Sequence, residues 1–302
     1  MAFIGSIYLA RVLGPSGYGK FYLITAVISF LDNPVTGWAS ACKKRLTEAD
    51  FPEDEAVGSL ILSILLASTI VLIVVRLTLP IIQTVTDLQI GWLLLGVLFV
   101  GNATFRSLLQ ILKGTNKFGS SPWIVTMRDI LRVLLQAGLV LMGFGVAGMV
   151  WGMAIASIVL SPVILYLSRI WPVIPSKESI RHIWTFAKSS IPLGVLGSAK
   201  GRMDILILGG LAGTAAVGNY EIALKLTMPA VFIASVAGES LVGRVSNLQS
   251  RSENYITDIK NTLSYASIFA LPLLFGAIAI GNPLVQTIYG NEFTQAGTFI
   301  TG

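Results

Sequence analysis

Between Glu55 and Arg76 the chain runs for twenty residues without a charge, AVGSLILSILLASTIVLIVV. About twenty residues, each rising about 1.5 Å, cross a hydrocarbon layer about 30 Å thick. A lone segment can do so only as a helix, because every backbone amide must then be satisfied within it. The pattern recurs: eighteen uncharged residues separate Asp87 from Arg106, and thirty-six separate Arg132 from Arg169. The thirty-six are too many for one crossing and contain Gly143-Phe144-Gly145, which predicts two helices turning at the glycine pair.

Carried along the chain, this reasoning predicts helices over 1–13, 20–41, 57–77, 89–112, 122–142, 146–168, 188–211, 217–241 and 262–281, with a tenth beginning near 295. None of these runs alternates with the period of two that a barrel strand requires. The fold class is therefore all-α, a polytopic membrane protein. Composition agrees, since only 12% of the 302 residues are charged, 54% are hydrophobic and the mean hydropathy is +0.78. A soluble domain carries about 25% charged residues, so this chain cannot cover a water-facing surface.

Both ends read as cut. About twelve apolar residues precede Gly14, short of the roughly seventeen a crossing needs, and the tenth run stops at Gly302 soon after it starts. A fragment of a longer protein, or a start site placed too late, is the expectation. The opening MAFIGSIYLA has neither a basic leader nor a small-residue cleavage site, so no removable signal peptide is expected.

GPSGYGKF, residues 14–21, resembles a phosphate-binding loop in the spacing of Gly14, Gly19 and Lys20. Phe21 stands where that loop needs a magnesium-binding hydroxyl, and an apolar run comes after it. A turn between two apolar helices is the reading kept. One cysteine, Cys42, excludes an internal disulfide, and one histidine, His182, excludes a site needing two imidazoles. No metal or cofactor is expected, and no catalytic motif is present.

Assigning loops alternately to two sides puts twelve basic residues on one: Lys43, Lys44, Arg45, Lys113, Lys117, Arg169, Lys177, Arg181, Lys188, Arg244, Arg251 and Lys260. Lys20, Arg76 and Arg11 fall opposite. The excess marks the cytoplasmic side and places GPSGYGKF outside. The net charge of +6 is thus a topology signal and implies no nucleic acid. Shifting the sequence by 199 residues lays Leu9, Gly14, Gly19 and Phe21 on Leu208, Gly213, Gly218 and Tyr220, as two parallel repeats would.

The ordered series LARVLGPSGYGKFYLITA, FRSLLQILKGTNKFG, DILILGGLAGTAAVGNYEIALKL, ESLVGRVSNL and LPLLFGAIAIGNPLVQTIYGNEFTQAG resembles the polysaccharide-biosynthesis flippases. These belong to the multidrug, oligosaccharidyl-lipid and polysaccharide exporter superfamily. The resemblance implies two lobes of helices that move polyprenyl-linked oligosaccharides from the cytoplasmic to the outer leaflet of a bacterial or archaeal plasma membrane. It implies a complete six-helix N-lobe over 1–170 and a truncated C-lobe over 171–302. A polyprenyl-phosphate-linked sugar, membrane lipids and glycan-assembly proteins would be the partners. A drug exporter of the same superfamily is the alternative, and would favour acidic residues in its cavity. A glycosyl polymerase or ligase is a further one, although the outer loops are short for the catalytic groups it would need.

Moving a sugar phosphate through lipid is a problem of solvation. Ionisable groups inside a span cost about 2.5–3.5 kcal/mol each and face a cavity or each other, so they are the candidates. Lys200, Arg202 and Asp204 lie near the middle of the seventh helix. Arg202 and Lys200 would take phosphate, and the resemblance supports an Arg and an Asp at 202 and 204; a structural Lys200–Asp204 bridge at i,i+4 is the alternative. Arg128 and Arg132 share one face of the fifth helix with Asp129 beside them, suited to bidentate phosphate contact or to snorkelling toward headgroups. Arg106 sits deeper, in the fourth helix. Asp32, before Asn33 and Pro34, kinks the second helix, and Asp32, Asp129 and Asp204 are each eligible to couple a proton or ion. Glu221 and Lys225 read as a surface pair, with Glu239 further along the same helix, and His182 as an interfacial residue on the amphipathic IRHIWTFAK.

Overall fold

The computed structural model describes residues 2–48, 51–86, 91–115, 119–250 and 256–301, with the side chains of all these except 2–3, 78–86, 230, 233–250, 258–259 and 300–301. Ala49, Asp50, Asp87, Lys117 and Arg251 lie outside the described residues, as do the side chains of Glu239 and Arg244. Every regular element among the described residues is helical: α1 (Ala2–Leu31), α2 (Asn33–Leu46), α3 (Glu53–Thr86), α4 (Trp92–Gly114), α5 (Ser120–Leu139), α6 (Gly145–Ser168), α7 (Lys177–Ser250), α8 (Ile256–Tyr289) and α9 (Ala296–Thr301). Five stretches are long and apolar enough to cross a membrane, and two of these, Ser120–Ser168 and Lys177–Pro229, have the length of two crossings.

Several helices outrun the apolar segments that announce them. The predicted 57–77 becomes Glu53–Thr86, and 262–281 becomes Ile256–Tyr289. Hydropathy marks the part in lipid, whereas backbone hydrogen bonding continues until a residue breaks it. Glu53, Asp54 and Glu55 fill the first turn of α3, where carboxylates offset the helix dipole.

The breaks inside the long helices fall at glycines. Within α1, Gly14 adopts φ 65° and ψ 177°, and within α7, Gly213 adopts φ 84° and ψ 176°, a region open to glycine and almost nothing else. These two are 199 residues apart, the offset of the sequence echo. Between α5 and α6, Gly143 (φ 89°) and Gly145 (φ 52°) turn the chain as the hairpin reading predicts.

Two compact units emerge, Met1–Val217 and Gly218–Gly302. In the first, α6 packs on both α4 and α5, and α2 packs on α3 and α4. Small residues let the backbones approach: a Cβ on Gly152 of α6 would meet the Gln136 nitrogen of α5 at 2.7 Å. Polar cross-links join the apolar contacts. The Gln136 side-chain amide donates to the Met149 carbonyl at 2.9 Å, and the Ser157 hydroxyl donates to Asn102 Oδ1 at 3.5 Å. Residues 177–217, predicted from the sequence to open the second lobe, pack with this unit. Ser198 of α7 donates to Asn33 Oδ1 at 2.8 Å, and the Ser16 and Thr214 hydroxyls beside the two glycine breaks meet at 3.0 Å. In the second unit, Tyr289 and Phe293 are fully buried with ring centroids 6.1 Å apart, and Phe299 meets Tyr220 edge-on at 5.6 Å.

Candidate functional site

The break between α1 and α2 carries the first polar group. Asp32 donates its N–H to the Ile28 carbonyl and accepts from the Thr36 N–H, so the helical path nearly continues through it. Pro34 falls in the first turn of α2, where its missing N–H costs least. The Asp32 side chain enters the packing of α2 against α4 and is wholly buried. There Arg106 answers it, one terminal nitrogen donating to both carboxylate oxygens at 3.0 and 2.8 Å. The Arg106 side chain remains 44% exposed. One end of this ion pair is sealed in protein and the other is open.

The neighbouring residue on α4, Phe105, faces the α5 cluster. The Arg128 guanidinium lies over its ring, 4.6 Å from the centroid, which fixes the plane of the charge. Asp129 sits between the two arginines, 3.4 Å from Arg128 and 3.5 Å from Arg132. One carboxylate is thus shared by two guanidiniums. The Nε–H of Arg128 and that of Arg132 are both buried and have no hydrogen-bond partner among the described residues. Arg128 also feels the like charges of Arg132 and Arg106. α5 begins at Ser120, so Arg128 and Arg132 lie eight and twelve residues in, about 12 and 18 Å along the axis.

α7 brings the third group. Gly194 and Ser198 lie against Asn33 of α2, and Arg202 sits one turn further on the same face. Arg202 is half-buried, while Lys200 and Asp204 are exposed. Among the described residues Lys200 makes no ion pair with Asp204; instead the Ile205 N–H donates to Asp204 Oδ1 at 2.8 Å. The structure therefore joins Asp32 to Arg106, and Arg128 to Asp129 and Arg132, within one unit. It also sets the Arg202 face beside Asn33.

Sequence reasoning missed the Asp32–Arg106 pair, since the partners are 74 positions apart and only helix packing unites them. Phe105 beneath Arg128 was missed for the same reason. One reading needs correction: Glu221 is not a surface group, being only 5% exposed beside the equally buried Asn219. The i,i+4 spacing to Lys225 suggested a solvated pair, but the Glu221 side chain is buried.

Three comparisons bear on these observations. The family described as polysaccharide biosynthesis protein matches residues 8–297. Two proteins of Haloferax volcanii are similar along nearly the whole chain: the probable flippase AglR at 26% identity over 99% of it, and the probable low-salt glycan biosynthesis flippase Agl15 at 25% over 98%. The chain spans 64% and 63% of their respective lengths. Among solved structures, an inward-facing multidrug resistance transporter of the MATE family in the MOP superfamily superposes with a TM-score of 0.72. That match is 15% identical and covers 100% of this chain and 76% of the other, so it concerns fold alone.

Proposed function

The chain belongs to the polysaccharide biosynthesis protein family, and from that membership we propose that it works as a membrane flippase for lipid-linked oligosaccharides. The observation that carries this reading is the pair of buried Nε–H groups on Arg128 and Arg132, without a partner among the described residues. A buried donor without an acceptor costs about 1–3 kcal/mol, more when charged, and an anion supplying the acceptors would remove that cost. The phosphates that join a polyprenyl carrier to its sugar have the matching charge and geometry.

In this reading Arg128 and Arg132 hold the phosphate and Phe105 keeps the Arg128 plane presented. Arg202 and Lys200 contribute from α7, and Arg106, anchored by Asp32, carries the positive field toward the open side. Alternating access would expose a basic cavity built on these residues first to one face of the membrane and then to the other. Asp32, Asp129 and Asp204 are the carboxylates proposed for coupling to a proton or ion, Asp32 paired with Arg106 and Asp129 with Arg128 and Arg132. Three guanidiniums against two carboxylates favour an anionic substrate over the organic cations that an exporter of drugs would carry.

The test is translocation of a fluorescent polyprenyl-pyrophosphate oligosaccharide in proteoliposomes. Arg128→Ala and Arg132→Ala should each lower the rate at least tenfold while leaving the protein folded. Wild-type rates in both variants would remove the substrate assignment, and uptake of cationic drugs at a rate set by Asp129 would favour the exporter.

A further inference from the structure

Arg169 is the sole residue other than glycine with a positive φ among the described residues, at φ 59° and ψ 21°. It ends α6, its N–H donating to the Leu165 carbonyl at 3.2 Å, the place where glycine or asparagine is usual. A long cationic side chain there is held against a conformational cost, so the charge at that point calls for a purpose. Around it lies an open cavity of about 580 Å³ lined by Tyr166, Leu167, Arg169 and Trp171. Tyr166 and Trp171 are each 75% exposed. Two aromatic walls and one guanidinium describe a receptor for an anion carried on a lipid.

Beyond Trp171 the backbone is pinned to α3. The Val173 N–H donates to the Asp54 carbonyl at 3.2 Å, and the Ser176 N–H donates to Glu55 Oε2 at 2.7 Å. The Val173 carbonyl approaches Gly58 of α3 so closely that no Cβ fits between them. Trp171 and Ile174 nonetheless point outward from this fixed segment. The first turns of α7 then bury Ser179, Ile183 and Ala187 on one face and expose Lys177, Arg181, Trp184 and Lys188 on the opposite one. The charge bias puts this whole stretch on the cytoplasmic side, and a short run of basic residues just inside a spanning helix is what attracts acidic lipid headgroups.

We infer that residues 166–188 form a binding site for an anionic phospholipid of the cytoplasmic leaflet. The headgroup phosphate sits on Arg169 between Tyr166 and Trp171, and the basic face of α7 extends the contact along the membrane surface. Tyrosine and tryptophan suit this depth because each ring has an apolar body and a polar tip. Such a lipid would hold the α6–α7 connection against α3, separately from any transported substrate.

Thermal unfolding of the whole protein in detergent, titrated with phosphatidylglycerol, phosphatidylcholine or inorganic phosphate, tests this. Phosphatidylglycerol should raise the unfolding temperature and phosphatidylcholine should not. Free phosphate should also fail, which separates a lipid from a soluble anion. Arg169→Gly relieves the positive φ, so its unfolding temperature without lipid should equal or exceed that of wild type. Its half-maximal phosphatidylglycerol concentration should rise about fivefold, the ratio that about 1 kcal/mol per basic residue corresponds to. Combined Lys177→Gln, Arg181→Gln and Lys188→Gln, all on an exposed face, should weaken the response further without destabilising the fold. An unchanged phosphatidylglycerol response in Arg169→Gly, an equal response to phosphatidylcholine, or full stabilisation by inorganic phosphate would each overturn the site.

Discussion

Replacing Arg106 by alanine should be far more damaging than replacing Asp32 by asparagine, although the two residues form one ion pair. Asp32 is wholly buried between α2 and α4, whereas the Arg106 side chain is 44% exposed. Removing the arginine orphans a carboxylate that no solvent can reach. Breaking a buried pair in this way costs about 3–5 kcal/mol, and partial exposure of Arg106 places this case near the lower figure, about 3 kcal/mol. Removing the carboxylate charge instead leaves a guanidinium that can turn to the open side, and the loss is that of a charge-assisted hydrogen bond, about 1.5 kcal/mol. The double variant Asp32→Asn, Arg106→Ala contains no orphaned charge, so its loss should also be about 1.5 kcal/mol, well short of the sum of the singles. Unfolding in mixed detergent and SDS micelles, followed by the fluorescence of the six tryptophans, measures all three. Equal losses in the two single variants that add in the double would refute the claim that the burial of Asp32 makes the pair asymmetric.

The two glycine breaks give a second prediction. Gly14→Ala and Gly213→Ala should each cost about 1–3 kcal/mol because an added Cβ is strained at these dihedrals, while Gly138→Ala, inside α5 with open space around it, should be neutral or stabilising. Unfolding in the same micelles distinguishes them. Cysteines at Ser16 and Thr214, whose hydroxyls lie 3.0 Å apart, should cross-link under mild oxidant and stop translocation until a reductant is added. Buried Cys42 should not interfere, and undiminished transport by the cross-linked protein would argue that this contact never opens.

The architecture was legible because lipid leaves so few choices. An uncharged run of twenty residues can only be a helix, and Gly143-Phe144-Gly145 inside a run of thirty-six can only be its turn. Gly14 and Gly213 were visible as an echo before their shared dihedrals gave it a physical cause. Helix ends were harder to see, since polar residues such as Glu53 and Thr86 extend a helix beyond the bilayer without any hydropathy signal. The site was legible as a set of costly residues but not as an arrangement. Spacing on α5 brought Arg128, Asp129 and Arg132 together, because a helix fixes its own neighbours. No spacing links Asp32 to Arg106, or Arg128 to Phe105 on another helix. Glu221 failed in the opposite sense, its local pattern naming a partner while packing decided its burial.

A basic pathway through the membrane requires the α5 arginines to face water. In a Cys42→Ser background, Arg132→Cys should react with a membrane-impermeant thiol reagent added from the cytoplasmic side, and inorganic pyrophosphate should slow the reaction. Ile70→Cys, on the exposed apolar face of α3, should resist the same reagent. An unreactive Arg132→Cys, or one no faster than Ile70→Cys, would mean that these guanidiniums meet lipid or closed protein, and the basic pathway would be contradicted.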